Sequence, residues 1–477
     1  MKKNYFSAKK SAFERKSPQN RRNTAARNTA PDAGGSRTAA EISELKLRSQ
    51  WKLVQNALHA VLCSVFREGK PADRVLSGYF RENRRCGSRD RQLISEAVFC
   101  VLRFWGILRQ MLPQERREAL ENGSEAPSAR ELEMLLKGVF YLEDLAQPWM
   151  RKWLQIPEVA PDFAQRCRML FRAFQLDAPD LAPGKMLPEW ISSHLAMDFP
   201  LKEYVESMRQ RPPMWLRLQS QDRGNVLTHL ADAGLFFRNL ESMPDAVAVE
   251  GAKVNLFTLD AYREGWFEVQ DLASQIIGAV AAPRPGERWL DCCAGAGGKS
   301  LQLASLMERR GTVVASDVRA YKLEDLRKRA RRAGFPNIQT KAWDGKNLRP
   351  QQREKFDGVL VDAPCSCSGV WRRNPDGCWS LKPEDVAETA KIQRAVLSAV
   401  ADGVRPGGVL IYATCSIFPE ENQNAVADFL AQRPDFVPEA FAHPLTGETV
   451  QDGMLQVLPG VEDCDSMFVA RLRRRKE

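Results

Sequence analysis

Two short stretches of this 477-residue chain place thiols where a thiol could react. In VDAPCSCSG (361–369) an apolar run ends on Asp362, a proline follows at 364, and Cys365 comes directly after it. In GGVLIYATC (407–415) a second apolar run ends on Thr414 and Cys415. A single cysteine after a strand is most often a small core residue. Two of them, on two strands, read differently. Neighbouring parallel strands of an open α/β sheet deliver their C-terminal ends to one ligand crevice. Cys365 and Cys415 are therefore expected to face a common site. Cys367, Cys292, Cys293 and Cys378 read as packing or incidental thiols. A metal centre is the poorer reading of the cysteines. The four histidines (His59, His194, His229, His443) lie far in sequence from Cys365, Cys367 and Cys415, and the chain has no C-x-x-C pair.

The ligand of that crevice is read from LDCCAGAGGKS (290–300), which joins a strand to a helix. Glycines there let the backbone approach a ligand. A phosphate-binding P-loop needs a glycine five residues before Gly298, and that position is Cys293. A dinucleotide fingerprint needs a third glycine where Ser300 stands, after Gly295 and Gly297. S-adenosylmethionine is the remaining reading. It asks for a glycine loop under its amino-acid portion and a carboxylate ending the second strand for its ribose hydroxyls. Asp317, at the end of TVVASD, is placed for that. Asp344, after the third strand, is placed for the adenine amino group. Either acid alone could equally be a solvated loop carboxylate. A thiol beside a methyl donor suits methylation at carbon-5 of cytosine. Thiolate addition at carbon-6 makes carbon-5 nucleophilic, and a base must then remove the carbon-5 proton. An acid such as Asp362 could engage the ring at nitrogen-3.

LDCCAGAGGKS, ASDV, VDAPCSCSGVWRRNPD and IYATCSIFPEEN together resemble the Sun-type RNA 5-methylcytosine methyltransferases, nearest to the bacterial small-subunit ribosomal RNA methyltransferase B branch. VQDLASQ (269–275) matches as well, and GSRDRQLISEAVFCVLRFWG resembles the NusB-like N-terminal domain of that branch. The resemblance is dense over 265–472 and implies roles. Cys415 would be the nucleophile, and Cys365 would assist proton removal and product release. Asp362 would contact the cytosine, with Lys299 near substrate and cofactor. The loop Cys293, Ala294, Gly295, Ala296, Gly297, Gly298 and Lys299, with Asp317, Asp344 and Asp362, would hold S-adenosylmethionine. Arg372 and Arg373 would sit beside RNA. The chain departs from the family pattern at Ala296, where proline is usual, and in the last strand, DSMFVARL, where glycine and two aromatics are usual.

The elements that must position these residues follow from periodicity. From 263 to 477 strand and helix patterns alternate, which predicts a doubly wound α/β domain with a mostly parallel sheet; the resemblance implies that it is a Rossmann-like class I methyltransferase domain. Residues 43–145 show helical periodicity, as in RDRQLISEAVFCVLRFWG, and predict an all-α domain, which the resemblance implies is NusB-like and RNA-binding. Residues 146–205 read as a helical connector and 206–262 as a small α+β RNA-binding unit. Residues 1–42 read as a basic disordered tail. The net charge is +10, and residues 1–40 hold ten Lys/Arg against two acids, so most of the excess sits there. Such an arm either binds nucleic-acid phosphates or merely solubilises. No apolar run approaches the ~18 residues of a membrane span, and a reduced, cytoplasmic setting suits eleven cysteines without a disulfide framework. The expected function is an S-adenosylmethionine-dependent RNA cytosine-5 methyltransferase acting on small-subunit ribosomal RNA. Transfer RNA as substrate, a non-catalytic assembly factor, and an exocyclic-amine methyltransferase are the alternatives.

Overall fold

The computed structural model describes residues 39–143, 160–250, 254–460 and 462–476. Most of the expected tail and the first part of the connector lie outside the described residues. Ser49–Glu477 pack as one compact unit.

Its N-terminal part is helical. Ala39–Glu68, Ala72–Glu82, Ser88–Arg103, Gln114–Glu121 and Ala129–Leu142 are the main helices. The stripe that the periodicity predicts along Ser88–Arg103 is buried at Ile94, Ala97, Val98, Val101 and Leu102, against Leu58, Val61, Leu135 and Val139. Ser128 starts the last of these helices with a reciprocal cap: its hydroxyl accepts from the Glu131 amide, and the Glu131 carboxylate accepts from the Ser128 amide at 2.7 Å. The helix Phe163–Ala173 buries Cys167, Leu170 and Phe171 in the same core, so the helical region runs past the expected limit at 145.

Next comes a four-stranded antiparallel sheet of β1 (Met214–Leu218), β2 (Phe236–Asn239), β3 (Ala246–Glu250) and β4 (Phe267–Val269), in the order β2-β3-β1-β4. Leu216 and Leu218 of β1 pack on Val226 and Leu230 of the helix Arg223–Asp232, while Trp215 faces the following domain. The α+β reading holds. Strand β4 lies beyond its expected end at 262, because three residues offer too little alternation to be seen in a sequence.

The C-terminal part has β5 (Arg288–Asp291), β6 (Thr312–Asp317), β7 (Ile338–Ala342), β8 (Phe356–Asp362), β9 (Val404–Thr414), β10 (Phe436–Pro438), β11 (Phe441–Ala442), β12 (Thr449–Val450), β13 (Met454–Val457) and β14 (Met467–Arg474). The main sheet runs β7-β6-β5-β8-β9-β14-β10, with β13 on β14. Strands β5 to β9 are parallel, and β14 is antiparallel to β9. Successive residues feed opposite faces: Trp289 and Val313 enter one core, Leu290 and Val314 the other. The strand order reverses between β5 and β8. That is where an open α/β sheet leaves a crevice at its strand C-termini. Among the described residues, no helix is long and apolar enough to cross a membrane.

Candidate active site

Strands β8 and β9 pair in parallel with Asp362 opposite Ala413, so the two thiol segments leave the sheet side by side. The Cys365 and Cys415 Sγ atoms lie 3.4 Å apart, and both residues are half-buried. The loops carrying them are tied together from beneath. Gly369 donates to the Cys415 carbonyl at 2.8 Å and accepts from the Ser466 amide at 2.9 Å. A Cβ on Gly369 would lie 2.1 Å from the Ser466 carbonyl oxygen, so only glycine fits. Glu421 is fully buried and accepts from the Ser366 amide (2.9 Å) and hydroxyl (2.5 Å), the Thr389 hydroxyl (2.6 Å) and the Gln393 amide (3.0 Å). Its neighbour Asn422 accepts from Thr414 Oγ1 (2.6 Å) and donates to the Ser416 carbonyl (2.9 Å). One carboxylate therefore clamps the Cys365 loop, and the next residue clamps the Cys415 loop. Reading the sequence for reactive groups missed both. Their signal is the pair of acids and the asparagine in FPEEN, directly after Cys415.

Cys367 is not the incidental thiol its position suggested. The three sulfurs of Cys365, Cys367 and Cys415 all lie within 4.8 Å of one another. Charge on one then disfavours charge on the others. Hydrogen bonding to Cys367 and Cys415, together with burial, pushes the Cys365 thiol up. For Cys415, the hydrogen bond from Cys365 favours the thiolate, but Cys367 and burial outweigh it and the thiol is raised. The exposed Cys367 is pulled well below the usual thiol range, because Cys365 and Cys415 both hydrogen-bond to its sulfur.

The glycine loop follows β5 across the crevice. Gly297 has φ +93°, and a Cβ on it would meet Leu326 Cγ at 2.5 Å. Gly298 then opens the helix Gly298–Leu306 with empty space above it. Asp317 ends β6, is 2% exposed, and accepts from the Gly295 amide at 2.8 Å. Burial works against its charge, but hydrogen bonds from the Arg319 side chain and amide and from Gly295 outweigh that and hold its pKa down. Lys299 reaches Asp362 at 2.8 Å. Burial alone would strip the lysine of its charge, yet Asp362 raises its pKa, and Cys415 adds to the effect. Asp291 is fully buried under the loop. It accepts from Ser300 at 2.6 Å, but its Oδ1 has no partner among the described residues. Burial lifts its pKa to about 7. Cys293, Gly295 and Ala296 are half-exposed on the loop, and Ala294 is buried. Asp344 is exposed after β7, where its carboxylate accepts from the Lys346 amide.

Of the two arginines expected beside RNA, Arg372 is turned inward and Arg373 stays exposed. Arg372 is 2% exposed and donates to Asp463 and to the Cys464 carbonyl. Arg373 bridges Asp271 and Asp465. Both brace the loop after Cys365 against the chain before β14. In the string WRRNPD they look like a solvated basic loop, because nothing local shows the acids about ninety residues downstream.

The C-terminal residues 279–473 match the model of the 16S rRNA methyltransferase RsmB/F, and residues 187–255 match its ferredoxin-like domain. The chain is 38% identical over 296 residues to ribosomal RNA small subunit methyltransferase B of Klebsiella pneumoniae, an alignment spanning 61% of this chain and 66% of that protein. It is 37% identical over 306 residues to the protein of the same name from Salmonella paratyphi B, spanning 63% and 68%. The chain belongs to the RsmB/F methyltransferase family. The RsmB/F ferredoxin-like model takes in the whole helix Leu201–Met208, which the sequence reading divided between the connector and the small α+β unit at 205/206. A methyltransferase homolog protein from Pyrococcus horikoshii shares the fold, with a TM-score of 0.51 at 22% identity over 60% of this chain and 95% of that one. The Rossmann-like domain is thus a methyltransferase domain of RsmB/F type.

Proposed function

We propose that this chain is an S-adenosylmethionine-dependent RNA cytosine-5 methyltransferase acting on small-subunit ribosomal RNA. The observation that carries the reading is the pair of half-buried sulfurs 3.4 Å apart on adjacent strand ends, beside the glycine loop. The loop fits the cofactor. Its glycines leave the backbone open, Asp317 stands at the strand end for the ribose, and Asp291 presents an unpartnered oxygen beneath. When bound, S-adenosylmethionine supplies an electrophilic methyl group.

Cys415 Sγ adds to carbon-6 of a cytosine turned out of its stack. The C–S bond loads electron density onto carbon-5, which would take the methyl group as the sulfonium–methyl bond breaks, with the electron pair left on the sulfur of S-adenosylhomocysteine. Cys365, in hydrogen-bond reach of Cys415, assists removal of the carbon-5 proton. The C–S bond then breaks and Cys415 leaves as thiolate. Asp362 meets the ring at nitrogen-3 through a shared proton, which passes to nitrogen-3 as the C–S bond forms and returns to the carboxylate when that bond breaks, with Lys299 holding the carboxylate in place. The helical region, taken as a NusB-like domain, and the four-stranded sheet position the RNA by its backbone. Cys367 has no part in these steps.

The decisive test uses two variants on RNA from cells lacking this gene. Cys415→Ala is expected to abolish 5-methylcytosine formation, read by bisulfite sequencing. Cys365→Ala is expected to leave protein covalently attached to RNA, read as a gel-shifted band that resists denaturant. Undiminished methylation by Cys415→Ala removes the mechanism. Loss of a transfer-RNA site instead of a ribosomal one corrects the substrate, and N4-methylcytosine as product replaces the reaction.

A further inference from the structure

The third thiol needs an account of its own. Cys367 sits at φ +57°, a backbone conformation that residues with a side chain rarely adopt. The turn it makes brings its sulfur back over Cys365 and Cys415 instead of out into the loop. Three sulfurs from two chain segments thereby converge within 4.8 Å on a half-open face. Tetrahedral zinc with Zn–S bonds of about 2.3 Å spaces its sulfur ligands about 3.8 Å apart. The 3.4 Å between Cys365 and Cys415 and the 4.8 Å outer limit bracket that spacing. Cys367 is exposed, so the fourth position opens to water. The nearest cation, Lys299, is neutralised by Asp362 and does not oppose a bound metal.

We propose that Cys365, Cys367 and Cys415 form a three-thiolate site for a thiophilic divalent cation of the zinc type. Each thiol that still carries a proton exchanges its S–H bond for a metal–sulfur bond and releases that proton to solvent, while a sulfur already present as thiolate binds directly. Thiolate-only ligand sets favour such cations over magnesium or calcium, which take oxygen. The site includes the proposed nucleophile, so an occupied site is a resting or inhibited form. That consequence rests on the function proposed above; metal binding does not.

The test titrates the full-length, reduced chain with Co2+ and reads the sulfur-to-cobalt charge-transfer absorption, then displaces it with Zn2+. One equivalent is expected. Cys367→Gly suits the φ of that position and leaves the fold intact; it is expected to weaken binding more than about tenfold, at least the effect of removing a group that only supports a ligand. Cys63→Ser, which removes a thiol lying beside the His59 ring, is expected to change nothing. Cobalt binding of wild-type strength in Cys367→Gly, or loss of the signal in Cys63→Ser, overturns the site. As a separate readout, Zn2+ is expected to inhibit methyl transfer by the wild type at concentrations that Cys367→Gly tolerates. Should no methyl transfer be found with any RNA, the cobalt spectrum still decides the metal site by itself.

Discussion

At the scale of single residues, the most unusual group is Asp291. It is buried under the glycine loop with one oxygen unpartnered, and its pKa is raised to about 7. An acid whose folded pKa lies above its unfolded value favours the fold when protonated. Its contribution is complete below about pH 4 and is lost as pH rises through about 7. A gap of that size corresponds to about 4 kcal/mol. Denaturant unfolding of the cofactor-free protein at pH 5 and pH 8 should therefore show a fall in stability that Asp291→Asn flattens. An equal pH slope in both proteins would show that Asp291 is ionised and solvated. The arginines teach the opposite lesson. Arg372 and Arg373 carry the charge that RNA attracts, yet their guanidinium groups are already engaged by Asp463, Asp465 and Asp271. Residue type suggested a surface role; burial decided a structural one for Arg372, while Arg373 stays exposed with its guanidinium paired.

At the scale of elements, the thiol site depends on two strand ends being held in register by what lies beneath them. Glu421 receives two donors from the Cys365 loop and two from the helix Pro383–Ala401 that packs behind it. Glu421→Gln preserves the volume but sets amide hydrogens against those donors. Leaving buried donors unmet costs about 1–3 kcal/mol, and a displacement of the reacting groups by about 1 Å can cost 10²-fold in rate. The expected outcome is a kcat about a hundred times lower, with S-adenosylmethionine affinity, measured by calorimetry, within about twofold of the wild type. An unchanged kcat, or a parallel loss of cofactor affinity, rules out a role specific to the thiol loops. The strands were legible because their apolar runs are long and end on turn residues. β4, β10, β11, β12 and β13, of two to four residues each, carry too few positions for any period to register.

At the scale of the whole molecule, the methyltransferase sheet, the four-stranded sheet and the helical region meet through specific ties. The Ala72 amide donates to Asp376 at 2.9 Å, Trp379 donates to the Leu102 carbonyl at 3.0 Å, and Arg103 donates to the Arg372 carbonyl at 3.2 Å. The thiol site's own loop is thus braced by the N-terminal helices. The basic excess lies elsewhere, in residues 1–40. A chain beginning at residue 43 is expected to bind RNA more weakly at low salt, with a logarithmic salt slope shallower by about 0.7 for each phosphate that the tail neutralises. Its kcat at saturating RNA should be unchanged, since the site is built entirely from later residues. Equal slopes with and without the tail would assign it a solubilising role only.

The sequence by itself determined the class of fold of the methyltransferase domain and singled out Cys365 and Cys415 as candidate thiols. Both rest on local signals: hydrophobic periodicity over long segments, glycines in a strand-to-helix turn, and cysteines just past two strand ends. The tertiary structure decided everything that depends on residues distant in the chain. It brought Cys367 to Cys365 and Cys415, turned Arg372 inward onto Asp463, and set Glu421 beneath both thiol loops. A side chain's type is written at its own position, but its partners are set by strand order and packing, which no local stretch encodes.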